Sequence, residues 1–178
     1  MKPNNAGVLS RIVRERRCIR SFSSRALDRE AVERVLESAT WAPSAGNLQP
    51  WFFIVIQKAE IRRKLAQAAL GQNFISEAPL LIVVCADTLR SCNRYGRRGL
   101  ELYCIQDTAA AIQNMLLTAH SLGLAACWVG AFNEDEARSV LGLHAEMKPL
   151  ALIPIGFSES RPRAPSRRSL SDVVCWLD

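Results

Sequence analysis

Three stretches of the chain combine residue types that can hold an anion beside a planar ring. The first, Arg16-Arg17-Cys18-Ile19-Arg20-Ser21-Phe22, offers guanidinium forks whose paired N–H donors match phosphate oxygens. A solvated basic helix end would carry the same charges, because cations are favoured at a helix C-terminus. The second, Ala42-Pro43-Ser44-Ala45-Gly46-Asn47-Leu48-Gln49-Pro50-Trp51, is stiffened by prolines, and Ser44, Asn47 and Gln49 can give hydroxyl and amide hydrogen bonds to a heterocycle. An ordinary turn before a strand fits the same residues. The third, Gly123-Leu124-Ala125-Ala126-Cys127-Trp128-Val129-Gly130-Ala131-Phe132, places a side-chain-free residue, Gly130, where a backbone N–H can approach a flat ligand closely. A helix cap followed by a core strand is the alternative there.

Side-chain catalysis finds no support. The chain has no G-x-G-x-x-G and no G-x-x-x-x-G-K-[ST], and Gly96-x-x-Gly99 is too short to count. Ser44 lies outside any G-x-S-x-G elbow, and His120 falls in the middle of a helical pattern, the usual place of a packed or surface histidine. The six cysteines include no C-x-x-C pair, and with His120 and His144 they do not cluster as zinc or iron–sulfur ligands do, so no metal is expected. They are expected to be reduced and mostly buried. Any chemistry is therefore expected from a bound cofactor.

The elements that position these stretches follow from apolar spacing. Val8, Leu9, Ile12 and Val13 make a helical stripe that runs into the first basic stretch. Asp28 reads as the N-cap of a helix with Val32, Val35, Leu36 and Ala39 on one face, ending near Thr40 because Pro43 disfavours helix just before it. Trp51–Ile56 reads as a buried strand, Ala59–Leu70 as a helix capped by Gly71, and Leu80–Ala86 as a second buried strand. Thr88–Leu102 is polar and arginine-rich and reads as a loop; its Tyr95, Arg97 and Arg98 are candidates to shape a pocket. A long core helix is expected from about Ile105 to Leu122, a short strand at Ala125–Gly130, a helix at Glu134–Leu141 capped by Asn133, and a last strand at Leu150–Gly156. Beyond it, residues 161–168 form a basic arm leading into Leu170–Leu177. With no internal repeat and no linker, the pattern is α+β, one domain over residues 8–178 with an N-terminal extension at 1–7.

Composition narrows the partners. The 178 residues carry 23 Lys+Arg against 17 Asp+Glu, a formal charge of +6, which admits nucleic acid, an acidic membrane surface or a small anion. At 49% hydrophobic and 22% charged, the chain is neither disordered nor low-complexity. No apolar run approaches the ~20 residues of a membrane span, and Met1–Ser10 lacks a signal-peptide core, so a cytoplasmic protein without membrane association is expected. Residues 11–25 hold six arginines and one glutamate, and residues 161–168 hold four arginines and no acid, so the rest of the chain nets −3. The bases are not interleaved with stackable aromatics, which argues against nucleic acid. A single phosphate-bearing ligand held between the two basic stretches fits best.

In this order the stretches closely resemble the FMN-dependent nitroreductase family over essentially the whole of residues 8–178. The family's R-R-S-x-R-x-F segment corresponds to Arg16–Phe22, its A-P-S-x-x-N-x-Q-P-W block is matched in full from Ala42 to Trp51, and its G-L-G-x-x-W-V-G segment is similar to Gly123–Gly130. Ala78-Pro79, the helix from Ile105 to Ala111, Pro154-Ile155-Gly156 and Arg167-Arg168-Ser169-Leu170 complete the likeness. The resemblance implies a nitroreductase-like fold, a mainly antiparallel central sheet flanked by helices, in a domain-embracing homodimer whose two active sites lie at the subunit interface. It implies FMN as cofactor and NADH or NADPH as co-substrate. Electrons would pass to a nitroaromatic, quinone or related small acceptor by ping-pong hydride transfer. Arg16, Arg17, Cys18 and Arg20 would hold the FMN phosphate and ribityl chain, with Arg167 and Arg168 adding phosphate contacts from the closing arm. Pro43, Ser44 and Asn47 would reach the flavin from the second subunit, and Val129, Gly130 and Ala131 would lie beside the ring. Cys18 replaces the family's serine, and a thiol is the poorer hydrogen-bond partner. Other flavin chemistries in the family (reductive dehalogenation, enone reduction, flavin breakdown) rank lower because the chain lacks a lid-sized insertion, and a flavin carrier or sensor without turnover is the remaining alternative.

Overall fold

The computed structural model of the protein describes residues 5–177. Its sheet has four strands in the order β1-β2-β4-β3, every neighbouring pair antiparallel: β1 is Trp51–Ile56, β2 Leu80–Asp87, β3 Ala125–Ala126 and β4 Met147–Gly156. Strand side chains alternate between faces, and here both faces are covered. Leu80, Ile82 and Val84 of β2 join Ala151, Ile153 and Ile155 of β4 in one cluster, completed by Val32, Val35, Ile112 and Met115 of the helices α2 (Arg29–Thr40) and α6 (Cys104–Ser121). Leu81, Val83 and Cys85 point the other way with Leu152. There they pack against Leu65 of α3 (Ala59–Ala68), Ile75 of α4 (Phe74–Glu77) and Ala137 of α7 (Glu134–Leu141). A central strand buried on both sides explains why β2 is an unbroken apolar run. The register slips by one residue between Val84 and Cys85 of β2, where β4 carries Pro149 and cannot donate to the ladder.

Most of the elements read from the sequence stand within two or three residues of their expected ends, and the differences have physical causes. Helix α1 runs Asn5–Glu15, so residues 5–7 of the expected extension are helical, and residues 1–4 lie outside the described residues. Strand β1 is not buried as expected. It is the sheet's edge, with Phe52 50% and Val55 41% exposed. β3 is shorter than Ala125–Gly130, and β4 begins before Leu150.

The largest correction is Thr88–Leu102, which is helix rather than loop. Helix α5 spans Thr88–Arg98, capped by Asp87 Oδ1 accepting from the Arg90 N–H at 3.0 Å, and a π-turn, Gly99–Tyr103, leads directly into α6. Its inward stripe is Thr88, Ser91, Tyr95 and Gly99, helical in spacing but polar or small in type, so no hydrophobic period betrayed it. Gly99 is needed there because a Cβ at that position would collide with the Ser91 carbonyl. The cysteines also divide differently from expectation. All six are free; Cys85, Cys104 and Cys127 are buried, but Cys18 and Cys175 are exposed.

Candidate functional site

After α1 the chain turns extended, and Cys18 forms a parallel bridge to Ala126, with the Ile19 N–H donating to the Ala126 carbonyl at 3.1 Å. The basic stretch thus adds one rung to the sheet beyond β3. Extended chain sends alternate side chains to opposite sides, and the arginines separate accordingly. Arg16 donates from Nη1 to the Cys18 sulfur at 3.9 Å, and Arg20 reaches the neighbouring Cys127 sulfur while its guanidinium lies 5.9 Å from the Phe74 ring. Arg17 and Ile19 instead line a cleft of about 330 Å³ together with His120, Gly123, Ser158 and Arg161. The Arg17 guanidinium is turned back on its own segment, donating to the Arg14 and Arg16 carbonyls at 2.6 and 2.9 Å, and its Nε is buried without a partner among the described residues.

The Arg16–Cys18–Arg20 face favours negative charge. The Cys18 sulfur hydrogen-bonds the Cys127 thiol and accepts the Trp128 backbone N–H, and with Arg16 these donors pull its pKa down to about 5 against the opposing effect of burial. The shared hydrogen bond, with burial, pushes Cys127 upward. A face that holds a thiolate by backbone N–H and guanidinium donors is equally suited to phosphate oxygens.

Next along that segment, Val129 is buried and spends both backbone groups on Leu152, donating at 3.0 Å and accepting at 2.9 Å. Gly130 is exposed, its N–H makes no hydrogen bond among the described residues, and a Cβ there would stand 3.9 Å from the Trp128 indole nitrogen, an ordinary contact. Ala131 is exposed, its carbonyl accepting from Gln72 Nε2 at 3.1 Å.

The proline-stiffened loop is held from below. Ser44 Oγ accepts the Gln49 N–H at 3.0 Å, Asn47 Oδ1 accepts from Gln49 Nε2 at 3.2 Å, and Arg90 of α5 donates to the Leu48 carbonyl. The Ala45 N–H donates to Asp107 Oδ1 at 3.0 Å; Asp107 is buried in the first turn of α6, its Oδ2 has no partner among the described residues, and burial raises its pKa. Gly46 sits at φ +57°, where a Cβ would also strike the Tyr95 hydroxyl. Pro43 and Asn47 are thereby presented to solvent, and Asn47 borders a shallow depression with Trp41 and Gln49.

Within one chain, then, Arg16, Cys18 and Arg20 come together with the Cys127–Gly130 segment. Arg17 faces elsewhere. Arg167 and Arg168 lie on the exposed arm, donating to carbonyls of the arm itself: Arg167 to Ser166 at 3.0 Å and Arg168 to Asp172 at 2.5 Å. Neither they nor Pro43, Ser44 and Asn47 hydrogen-bond the Arg16–Arg20 face among the described residues. Cys127, Trp128 and Asp107 matter to the site and were not singled out from sequence, whereas Tyr95, read as a pocket-shaping residue, instead supports the proline loop beneath Gly46. Nothing in the spacing ties Cys127 to a residue more than a hundred positions earlier, and an acid in a helix's first turn is commonplace.

The chain is similar in sequence and in fold to known proteins. A protein of Archaeoglobus fulgidus, whose name joins NADH dehydrogenase and NAD(P)H nitroreductase, is 34% identical over 151 residues, 83% of each chain. An NADPH-type FMN reductase of Bacillus subtilis is 29% identical over 168 residues, 85% of this chain and 68% of the relative. Among solved structures, nitroreductase A of Vibrio parahaemolyticus superposes with a TM-score of 0.87 at 26% identity, covering 96% of this chain and 75% of the other. The sequence profile of the Nitroreductase family matches residues 13–89 and 70–157, taking in the first basic stretch, the proline loop, the sheet and Gly130 together, and the chain belongs to that family.

Proposed function

We propose that the protein is an FMN-dependent NAD(P)H oxidoreductase that reduces nitroaromatics, quinones or related small acceptors in a ping-pong cycle. The observation that carries this is the Arg16–Cys18–Arg20 face, rich in donors for an anion, against the Cys127–Trp128 segment that continues to the exposed Gly130, whose N–H has no hydrogen-bond partner among the described residues. The names of the relatives agree: the Archaeoglobus protein is named for NAD(P)H and nitro-compound reduction and the Bacillus one for FMN. Arg16 and Arg20 hold the FMN phosphate, with Cys18 beside the ribityl chain, and Gly130 gives its N–H to the ring edge while Val129 and Ala131 flank it. Bound FMN supplies the centre that accepts hydride from NAD(P)H and delivers it to the acceptor. The chain's own part is to position the ring, exclude water behind it with Val129, and place positive charge where the reduced ring becomes negative.

Completion of the site by a second copy is part of the same proposal. Trp41, Trp176 and Leu177 are 81%, 85% and 93% exposed, and the arm from residue 157 onward is largely exposed. Pairing would cover these surfaces and bring Pro43, Ser44 and Asn47 of one copy, with Arg167 and Arg168 of an embracing arm, to the arginine face of the other.

Reconstitution tests this directly. The purified protein takes up one FMN per chain with flavin absorbance and oxidises NADH or NADPH when menadione or a nitrofuran is supplied. A protein that stays colourless in excess FMN overturns the proposal; one that binds FMN but shows no acceptor-dependent turnover with either nicotinamide is a carrier or sensor.

A further inference from the structure

We propose that the cleft on the Arg17 side of the basic stretch is a second anion site, one that binds a phosphate group, free or carried by a small molecule, independently of the flavin face. Three parts of the chain converge there. The turn out of helix α1 brings Arg17, the end of α6 brings His120, and the root of the arm after β4 brings Ser158 and Arg161. The space between them, about 330 Å³, lies at the small end of the range for small-molecule sites. Arg17 precedes Cys18 by one residue of extended chain, so its side chain leaves on the side away from the Arg16–Cys18–Arg20 face. One thickness of backbone separates the two basic surfaces.

Both guanidiniums are only partly engaged. Each uses Nη1 alone, and only on backbone carbonyls: Arg17 on those of Arg14 and Arg16 at 2.6 and 2.9 Å, Arg161 on those of Ser158 and Ser160, each at 2.9 Å. Neither forms an ion pair among the described residues, and the Arg17 Nε is buried there without an acceptor. An oxyanion that draws the Arg17 fork into the cleft gives that orphaned donor a partner, which the carbonyls at the end of α1 do not. Ser158 Oγ accepts the Ser160 N–H at 3.1 Å and keeps a hydroxyl proton to donate.

Two features that would repel an anion are weak here. The lining carries a single carboxylate, Glu15, which is exposed and pairs with neither arginine. The negative end of α6 is muted, because the Thr118, Ala119 and His120 carbonyls accept the N–H groups of Leu122, Leu124 and Gly123. Two forks, a hydroxyl and an imidazole exceed what the two oxygens of a carboxylate can accept, and they suit the terminal oxygens of a phosphate or its monoester.

Isothermal titration of the FMN-saturated protein tests this, with inorganic phosphate and ribose 5-phosphate as probes. One site per chain is expected. Arg17→Ala and Arg161→Ala should each weaken it by roughly 10-fold or more, the usual worth of a charge-assisted hydrogen bond. Arg63→Ala, exposed on α3 across the sheet, should leave it unchanged. Residue 161 lies on the exposed arm, so Arg161→Ala should melt with the parent and its loss of binding cannot be loss of folding. Tighter binding of the ester marks a phosphorylated small molecule as the ligand, and equal binding marks the free ion; either upholds the site. Binding of neither probe overturns the proposal, as does an Arg63→Ala loss equal to that of Arg17→Ala. Phosphate binding confined to FMN-free protein also overturns it, because the flavin face is then the phosphate's site. Should the protein take up no FMN, the same titration with Arg16→Ala separates the two readings: a site lost with Arg17 and kept without Arg16 stands while the flavin assignment falls.

Discussion

At the scale of the residue, five positions of extended chain divide their labour. Arg16 and Arg20 address the anion face and Arg17 the opposite cleft, so their substitutions should separate. Arg16→Ala and Arg20→Ala are each expected to weaken FMN binding by roughly 10- to 100-fold, the usual worth of a charge-assisted hydrogen bond. Arg17→Ala should change it by no more than a few-fold; fluorescence titration of FMN reads all three, and equal losses would refute the division. The motif was legible in the sequence, but its two-sidedness was not, because the alternation appears only once the segment is known to be extended. Asp107 makes a second residue-scale case. Burial raises its folded pKa above the unfolded value near 4, so the folded chain binds the proton more tightly and stability falls as pH rises through the folded value. Asp107→Asn keeps an oxygen for the Ala45 N–H and carries no charge, so its melting temperature should exceed the parent's at pH 8 and the gain should shrink toward pH 4. A gain equal at both pH values would show that ionisation is not the cause.

At the scale of the element, the sequence was most informative where a period is written in apolar residues. The alternating clusters of β2 and β4, the stripe Val32, Val35 and Ala39 of α2, and the Asn133 side chain accepting the Asp135 and Glu136 N–H groups at the start of α7 were all visible in residue types. Helix α5 was hidden because its contact stripe is built from Thr88, Ser91, Tyr95 and Gly99. Edge status was hidden in β1 because six consecutive apolar residues look the same whether neighbouring strands or another surface covers them. The close packing of α5 on the π-turn gives a prediction at this scale. Gly99→Ala must push the chain off the Ser91 carbonyl, and overpacking of this kind costs about 1–3 kcal/mol. The cost should appear as a lower urea midpoint, and through Tyr95 beneath Gly46 it should also loosen the proline loop. An unchanged midpoint would show that the turn yields freely.

At the scale of the molecule, the net positive charge is concentrated in two arginine-rich stretches at opposite ends of the sequence, and no helix among the described residues is long and apolar enough to cross a membrane. The exposed Trp41, Phe52, Trp176 and Leu177 are spread over the proline loop, the sheet edge and the arm. Light scattering should give twice the chain mass, and removal of residues 169–178 should yield a monomer that no longer retains FMN; a truncated protein that stays dimeric and yellow would exclude the arm from both roles. Whole-molecule assembly was the least legible property, since single-chain periodicity says which residues want cover but not what provides it. The arm has a consequence for how such a protein behaves in a test tube. In the proposed dimer, residues that gain their burial only from the second copy tie folding to mass action, so dilution alone acts as a denaturant. The melting temperature should climb with protein concentration, and at the lowest concentrations the cofactor should leave before the sheet unfolds.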